Sequence, residues 1–379
     1  MFSVSLLVKG QTPQSHFVRQ LPFQGSQDGV ITTITPLQTP TLRFAFCILR
    51  LHRQTPIHRG KIMNRKIDGT FFEFHHHNTP EGKYWNPALD KFKAEDWRQK
   101  VREISTLGME YIVVMATALY DKCYFKSCVF PFADIPCADP IEELLCEADN
   151  CNIKVFLGNG FYGDWQKAGF NIKSNEVINR SFKAMEELTA LYGHHKSFYG
   201  WYFPDETCII LRFSKDFMNY VNLCSAQCHK LTPDKKTLIA PYGTNLVYAN
   251  NRFIRQLAEL DVDFIAYQDE VGVKKTKVDR TKRLFEKLRI AHDKAGRSEL
   301  WADIELFDFE GMVYKSALIP ANFERIKQQI ENVAPYADKI LGYQYLGLIN
   351  PPDSTSFAGH PSSAVLYENY ITYNKTTQD

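Results

Sequence analysis

The sequence predicts an α/β fold, a (β/α)8 TIM barrel in a single domain, and three observations carry that prediction. Short apolar segments, β-branched or aromatic in part, alternate with longer amphipathic ones. The alternation completes eight strand–helix units over about 310 residues, the usual scale of such a barrel. The apolar segments stop on acids, amides and aromatics, as strands do when they leave a barrel at its C-terminal face.

Taken in order, strands are expected at Ile67 to Phe74, Tyr111 to Ala118, Lys154 to Gly158, Phe198 to Phe203, Thr237 to Pro241, Asp263 to Gln268, Glu299 to Ile304 and Ile340 to Leu346. Between them come helices. Ala94 to Leu107 opens on Glu95 and Asp96, which suit a helix N-terminus, and stops at Gly108. Pro140 to Asp149 has proline in its first turn. Ser174 to Tyr192 and Ser214 to Leu231 are capped by serine, the first ending at Gly193 and the second at Thr232-Pro233. Val247 to Leu260, Asp279 to Ala295, Ala321 to Ala334 and Ser362 to Tyr373 complete the set. A doubly wound open sheet is disfavoured, because the turn after Phe74 has no glycine-rich phosphate loop.

Residues 1–62 read differently. They are rich in Gln, Thr, Pro and Ser, carry few acids and show no sustained period. They are expected to form a low-order extension, with Met63 as an alternative start and the barrel spanning 63–379. Charged residues at 23% and apolar residues at 44% are ordinary for a globular chain. A net charge of +2 gives no electrostatic basis for binding nucleic acid. No apolar run approaches the ~18 residues of a membrane span. Neither Met1 nor Met63 opens a recognisable signal peptide. Nine cysteines show no disulfide framework, so reduced thiols in a cytoplasmic protein are expected. Cys224, Cys228 and His229 share a predicted helix but lack a second ligand pair, so neither a metal nor another cofactor is expected. Nothing in the sequence sets an oligomeric state.

The strand ends carry the chemistry. Gly200-Trp-Tyr-Phe-Pro-Asp-Glu206 is an apolar strand closed by two carboxylates, and Glu206 is the leading candidate for a catalytic acid. The first strand ends at Glu73, followed by His75, His76 and His77. The third ends near Asn159, with Trp165 in its loop. Tyr202 and Asp205 flank the fourth strand end, Tyr242 the fifth, and Gln268, Asp269 and Glu270 the sixth. The seventh supplies Trp301, Asp303 and Glu305, and the eighth Tyr343. Flat rings and fixed polar groups together suit a polyhydroxylated sugar, so the expected partner is a carbohydrate substrate. Trp85, Trp165 and Trp301 are candidate sugar platforms, although Trp301, within a strand, more readily suits barrel packing.

Glycoside hydrolysis in its usual form needs two carboxyl groups flanking the bond. Glu206 and Glu305 lie three βα units apart, across the mouth of an eight-stranded barrel, with Asp303 on the same strand face as Glu305. Asp269 is equally well placed by strand order. Asp205 suits an orienting or capping role. Tyr267 or Tyr343 could hold the second carboxylate ionised. Adjacent residues of an extended chain point in opposite directions, which disfavours one ion shared by His75, His76 and His77.

This arrangement resembles the large group of retaining TIM-barrel glycosidases whose acid/base ends strand four and whose nucleophile ends strand seven. That group has Asn before the strand-four Glu, where this chain has Asp205. The chain is more closely similar to a bacterial glycosidase-like barrel family known as a domain of unknown function. Gly69-Thr-Phe-Phe-Glu73, Tyr192-Gly-His-His195, the strand-four segment, Tyr267-Gln-Asp269 with Val271-Gly-Val273, and Gly359-His-Pro-Ser-Ser363 carry the likeness, from about Ile67 to Tyr373. The resemblance implies a glycosidase-type barrel. Two alternatives stay open: a non-catalytic carbohydrate-binding barrel, and a metal-dependent isomerase or lyase using His75, His77, Glu206 and Asp303 or Asp269.

Overall fold

The computed structural model describes residues 66–376. The extension expected at residues 1–62 lies outside them. Eight parallel strands close into a barrel: β1 (Gly69–Phe72), β2 (Tyr111–Val114), β3 (Lys154–Gly158), β4 (Phe198–Tyr202), β5 (Lys236–Ile239), β6 (Phe264–Gln268), β7 (Glu299–Glu305) and β8 (Lys339–Tyr343). Each pairs with its neighbours in chain order, and β1 closes on β8 through Gly69 opposite Leu341. The principal helices are α1 (Ala94–Thr106), α2 (Pro140–Cys151), α3 (Asn175–Tyr192), α4 (Lys215–Leu231), α5 (Asn251–Glu259), α6 (Val278–Ala295), α7 (Phe323–Val333) and α8 (Ser363–Thr376). The expected fold class is therefore the observed one.

Local chemistry sets the helix ends. The Asp139 carboxylate accepts from the Glu142 N–H at the start of α2, and Ser174 and Ser214 do the same for α3 and α4. α5 begins later than Val247, because Asn250 accepts from the N–H groups of Arg252 and Phe253 and Val247 pairs with Leu211 instead. α6 ends on Gly296, whose φ of 63° suits glycine. Strands β1, β2 and β8 are shorter than their apolar runs. Residues past their ends lie in loops over the mouth.

Two apolar layers result. The larger lies between strands and helices, where Ala302 and Ile304 point. The other fills the barrel with Phe71, Tyr111, Phe156, Tyr202, Phe264, Trp301 and Leu341. Phe264 and Trp301 stack at 4.5 Å between ring centroids, a contact worth about 0.5–1.5 kcal/mol beyond the area it buries.

The Gly359–Ser363 motif has a structural explanation. Gly359 has φ 148°, and a Cβ there would meet the Gly347 carbonyl at 2.3 Å. The Asn350 amide donates to the Ala358 carbonyl at 2.9 Å and to Ser363 Oγ at 3.2 Å. Its oxygen accepts from the fully buried Lys100 at 2.7 Å, and Lys100 also pairs with Glu103 at 2.8 Å. This buried polar cluster ties the β8 loop to α1.

Two short hairpins, Ala118–Leu119 with Lys122–Cys123 and Phe307–Phe309 with Leu318–Pro320, were not anticipated from the sequence. Among the described residues no helix is long and apolar enough to cross a membrane. The eight cysteines described are free thiols, and Cys47 lies outside the described residues.

Candidate active site

The C-terminal ends of the strands gather most of the expected residues at one mouth. Glu206, four residues beyond Tyr202 at the end of β4, returns to meet it: the Tyr202 hydroxyl donates to Glu206 Oε1. The Gln268 amide, at the end of β6, donates to Glu206 Oε2 at 2.6 Å and to the Ala240 carbonyl at 2.8 Å. Burial pushes the Glu206 carboxyl up to about 8, against the pull of these two donors. Asp205 turns away into protein. It accepts from Asn171 at 2.8 Å, and burial pushes it up to about 6.

Strand β7 places Asp303 and Glu305 on the inward face, with Asp303 level with Gln268 on β6. Asp303 is buried beside Glu206, Glu305 and Asp269, and its Oδ1 has no donor. Burial, then the neighbouring carboxylates, pushes its pKa well up, so it stays neutral. Glu305 accepts from the Val273 N–H at 2.8 Å.

Asp269 lies deeper. It accepts from Gln329 at 2.6 Å and from the backbone N–H groups of Val271 and Glu305, each at 3.2 Å. Burial raises both Asp269 and Glu305, and each disfavours charge on the other. Asp269 has three donors against one for Glu305, so the shared charge rests on Asp269 and the proton on Glu305.

At β1, Glu73 accepts from Trp85 Nε1 at 2.9 Å and Gln344 at 2.7 Å, and pairs with His76 Nδ1 at 2.8 Å. His76 Nε2 faces Glu81 at 3.3 Å. Burial disfavours the cation, but the two carboxylates outweigh it and raise His76 to about 9. His77 packs against His76 and Trp165, with both ring centroids at 4.6 Å, and against Phe161. Burial, reinforced by the His76 charge, lowers His77 to about 3, so this imidazole is neutral.

Other expected residues are distributed unequally. Tyr343 packs on Phe71, and burial, then the neighbouring carboxyl groups of Glu73, Glu81, Asp303 and Glu206, raises its pKa. Tyr242 lies under the Lys275 ammonium, 5.1 Å from its ring centroid. Asn159 is fully buried, and neither polar atom of its side chain has a hydrogen-bond partner. His75 turns to Asp90 at 2.9 Å and Asn86 at 3.1 Å. Trp301 is sealed inside the barrel against Phe264 and Tyr111, below the mouth, which leaves it packing and no sugar contact. The Tyr267 hydroxyl meets His292 at 3.1 Å, on the helix side of β6, so it cannot hold a mouth carboxylate.

The geometry does not gather His75, His77, Glu206 and Asp303 into one donor set. Among the described residues a different trio at the mouth, Glu73, His76 and His77, places one donor atom each within 4.8 Å. Glu73 Oε1 already accepts from Trp85, Gln344 and His76, and a charged His76 has no lone pair for a metal. Sequence reasoning missed Gln329, which reaches in from α7, and Tyr314, which the Phe307–Pro320 hairpin brings beside Lys275 and Glu305. Nothing local in the sequence marks either one.

A profile of the family described as Domain of unknown function (DUF4434) matches residues 67–356. The chain belongs to this family. The mouth just described is thus that of a DUF4434 barrel, and the match covers every site residue named above. No curated protein matches the chain. Solved structures share the fold. A candidate alpha-L-fucosidase from Bacteroides thetaiotaomicron VPI-5482 has a TM-score of 0.66 and 19% identity, over 83% of this chain and 94% of that one. A polyextremophilic beta-galactosidase from the Antarctic haloarchaeon Halorubrum lacusprofundi has a TM-score of 0.54 and 10% identity, over 83% of this chain and 58% of that one. An endo-1,4-beta-mannanase from Rhizomucor miehei has a TM-score of 0.50 and 12% identity, over 82% and 95%. At these identities the likeness is one of fold.

Proposed function

We propose that this chain is a glycoside hydrolase, cleaving an O-glycosidic bond with Glu206 as acid/base and Glu305 as nucleophile. One observation carries the reading. A half-buried Glu206 that keeps its proton to about pH 8 lies beside a β7 carboxyl cluster at the barrel mouth. Buried polar atoms without protein partners lie at the strand ends of the same mouth: Asn159 Oδ1 and Nδ2, Gln344 Oε1, Asp303 Oδ1 and His77 Nδ1. Unmet hydrogen bonds of this kind cost about 1–3 kcal/mol each, and sugar hydroxyls are suited to meet them. The glycosidases that share the fold support a carbohydrate substrate.

In the first step Glu206 gives its proton to the glycosidic oxygen as that oxygen leaves the anomeric carbon. The Glu305 carboxylate bonds to the same carbon. Glu206, now ionised, then takes a proton from water, whose oxygen attacks the anomeric carbon and releases Glu305. As positive charge develops on the sugar, the Glu305 proton passes to Asp269, which leaves Glu305 as the carboxylate that attacks, and that proton returns when Glu305 is released. Asp269 is an anchor in this scheme, holding the end of β7 by its backbone. Asn159, Trp165, Tyr242 and Tyr343 line the sugar site, and Glu73 holds Gln344 in place. Asp303, neutral in the floor, is a hydrogen-bond donor to the sugar, and Asp205 supports the β4 loop.

A non-catalytic carbohydrate-binding barrel is the competing reading, favoured by the proton that Glu305 holds in the free protein. A panel of aryl glycosides decides between them. Release of the aryl alcohol from at least one sugar, lost in Glu206→Ala, supports the enzyme. Sugar binding without release on any member supports the binding barrel.

A further inference from the structure

The Tyr192-Gly-His-His195 motif lies outside the mouth, and the proposed chemistry does not use it. His195 is three residues before β4, at the opposite end of the barrel. It packs on α2, where Glu142, Cys146 and Asp149 recur at i, i+4 and i+7 and so share one helix face.

His195 Nδ1 lies 2.8 Å from Asp149 Oδ2, and Asp149 is itself held by the Ser197 N–H at 2.7 Å. His195 Nε2 faces Glu142 Oε2 at 3.2 Å. The Cys146 thiol contacts the other oxygen of Glu142, with Sγ at 3.2 Å from Oε1. The His194 ring lies against His195, 4.2 Å between centroids. Donor atoms of Glu142, His194 and His195 all fall within 4.8 Å of one another.

We propose that Glu142, His194 and His195 bind a divalent transition-metal ion of the zinc type. Two imidazoles and a carboxylate form a common donor set for such an ion. Two ligands at the usual bond lengths of a tetrahedral zinc site stand about 3.3 Å apart, close to the 3.2 Å between His195 Nε2 and Glu142 Oε2. Asp149 takes the outer position found in carboxylate–histidine–metal triads. It holds Nδ1, and a metal ion at Nε2 would take the place of the proton shared with Glu142.

The contrast with the mouth trio is physical. Glu73 is buried and engaged by Trp85 and Gln344 besides His76. The Glu142 side chain is 38% exposed, and its recorded side-chain partners, His195 and Cys146, are both able to ligate a metal. His194 is exposed and can swing in at little cost. The site would pin the turn between α3 and β4 to α2, a structural role separate from hydrolysis.

The test uses the full chain, freed of metal by a chelator, and titrated with Co2+ followed by Zn2+ competition. The expected result is one equivalent bound, with tetrahedral visible bands and a rise in Tm. His194→Ala and Glu142→Gln, both at accessible positions, should each weaken affinity at least tenfold. His77→Ala should leave it unchanged. Cobalt bands absent from the parent would overturn the site and leave His195 a proton-bridged partner of two carboxylates. Affinity unchanged in both His194→Ala and Glu142→Gln, or lost in His77→Ala, would overturn it equally. None of these readouts depends on turnover, so the glycosidase reading stands or falls separately.

Discussion

The Gln268 side-chain amide donates to Glu206 at 2.6 Å while held by the Ala240 carbonyl at 2.8 Å. One amide thus fixes the acid from β6 and pulls its pKa down. Gln268→Met keeps the length and removes the donor. Its basic limb of kcat/KM should move to higher pH, with kcat reduced about tenfold or more as Glu206 loses its fixed position. An unmoved limb would show that Gln268 does not act on Glu206.

The parent pH–rate profile should be bell-shaped. Loss of the Glu206 proton sets the basic limb near pH 8. Ionisation of the Glu305–Asp269 pair sets the acidic limb, above the usual carboxylate range because burial raises both groups. Activity that stays flat to pH 10 would argue against a Glu206 general acid.

Glu206 and His76 should make stability fall as pH rises from about 4.5 to 9. Glu206 rises from 4.5 to about 8 on folding and His76 from 6.5 to about 9. In both cases the native state binds the extra proton, so stabilisation is fully present below the unfolded pKa and is lost as pH rises through the folded one. Glu206→Gln removes one source of this slope. Its Tm should exceed the parent's at pH 8 to 9, and the Tm difference should shrink toward pH 5. Parallel Tm curves for the two proteins would contradict the assignment.

Asp269 should behave as an anchor. Asp269→Asn replaces an acceptor of three hydrogen bonds by a group that meets the Gln329 amide with a second donor. The expected cost is about 1–3 kcal/mol in urea unfolding. Residual activity should persist, with the acidic limb moved to lower pH because Glu305 loses a negative neighbour. A stable but inactive Asp269→Asn would instead make Asp269 the nucleophile.

The barrel was legible because strand and helix periods alternate without interruption, and strand ends announce themselves where an apolar run meets acid. Glu206, Gln268, Asp303 and Glu305 follow from that rule and meet at the mouth. Trp301 shows its limit. It shares the inward face of β7 with Asp303, but two residues lower on a strand is about 6.6 Å deeper, which takes the indole out of the mouth and into the core. Tyr267 fails by parity, facing α6 through His292. Gln329 and Tyr314 were illegible because each reaches the site from an element whose approach only the closed fold sets.

The most direct test of the Glu206–Glu305 pair is kcat/KM for 2,4-dinitrophenyl and methyl glycosides of one sugar, measured on the parent, Glu206→Gln and Glu305→Gln. A dinitrophenolate leaves without a proton, whereas methanol needs one. Glu206→Gln should therefore lose at least 10²-fold on the methyl glycoside and far less on the dinitrophenyl one, and Glu305→Gln should lose at least 10³-fold on both. Equal losses on both substrates in Glu206→Gln, or parental rates in Glu305→Gln, would contradict the account.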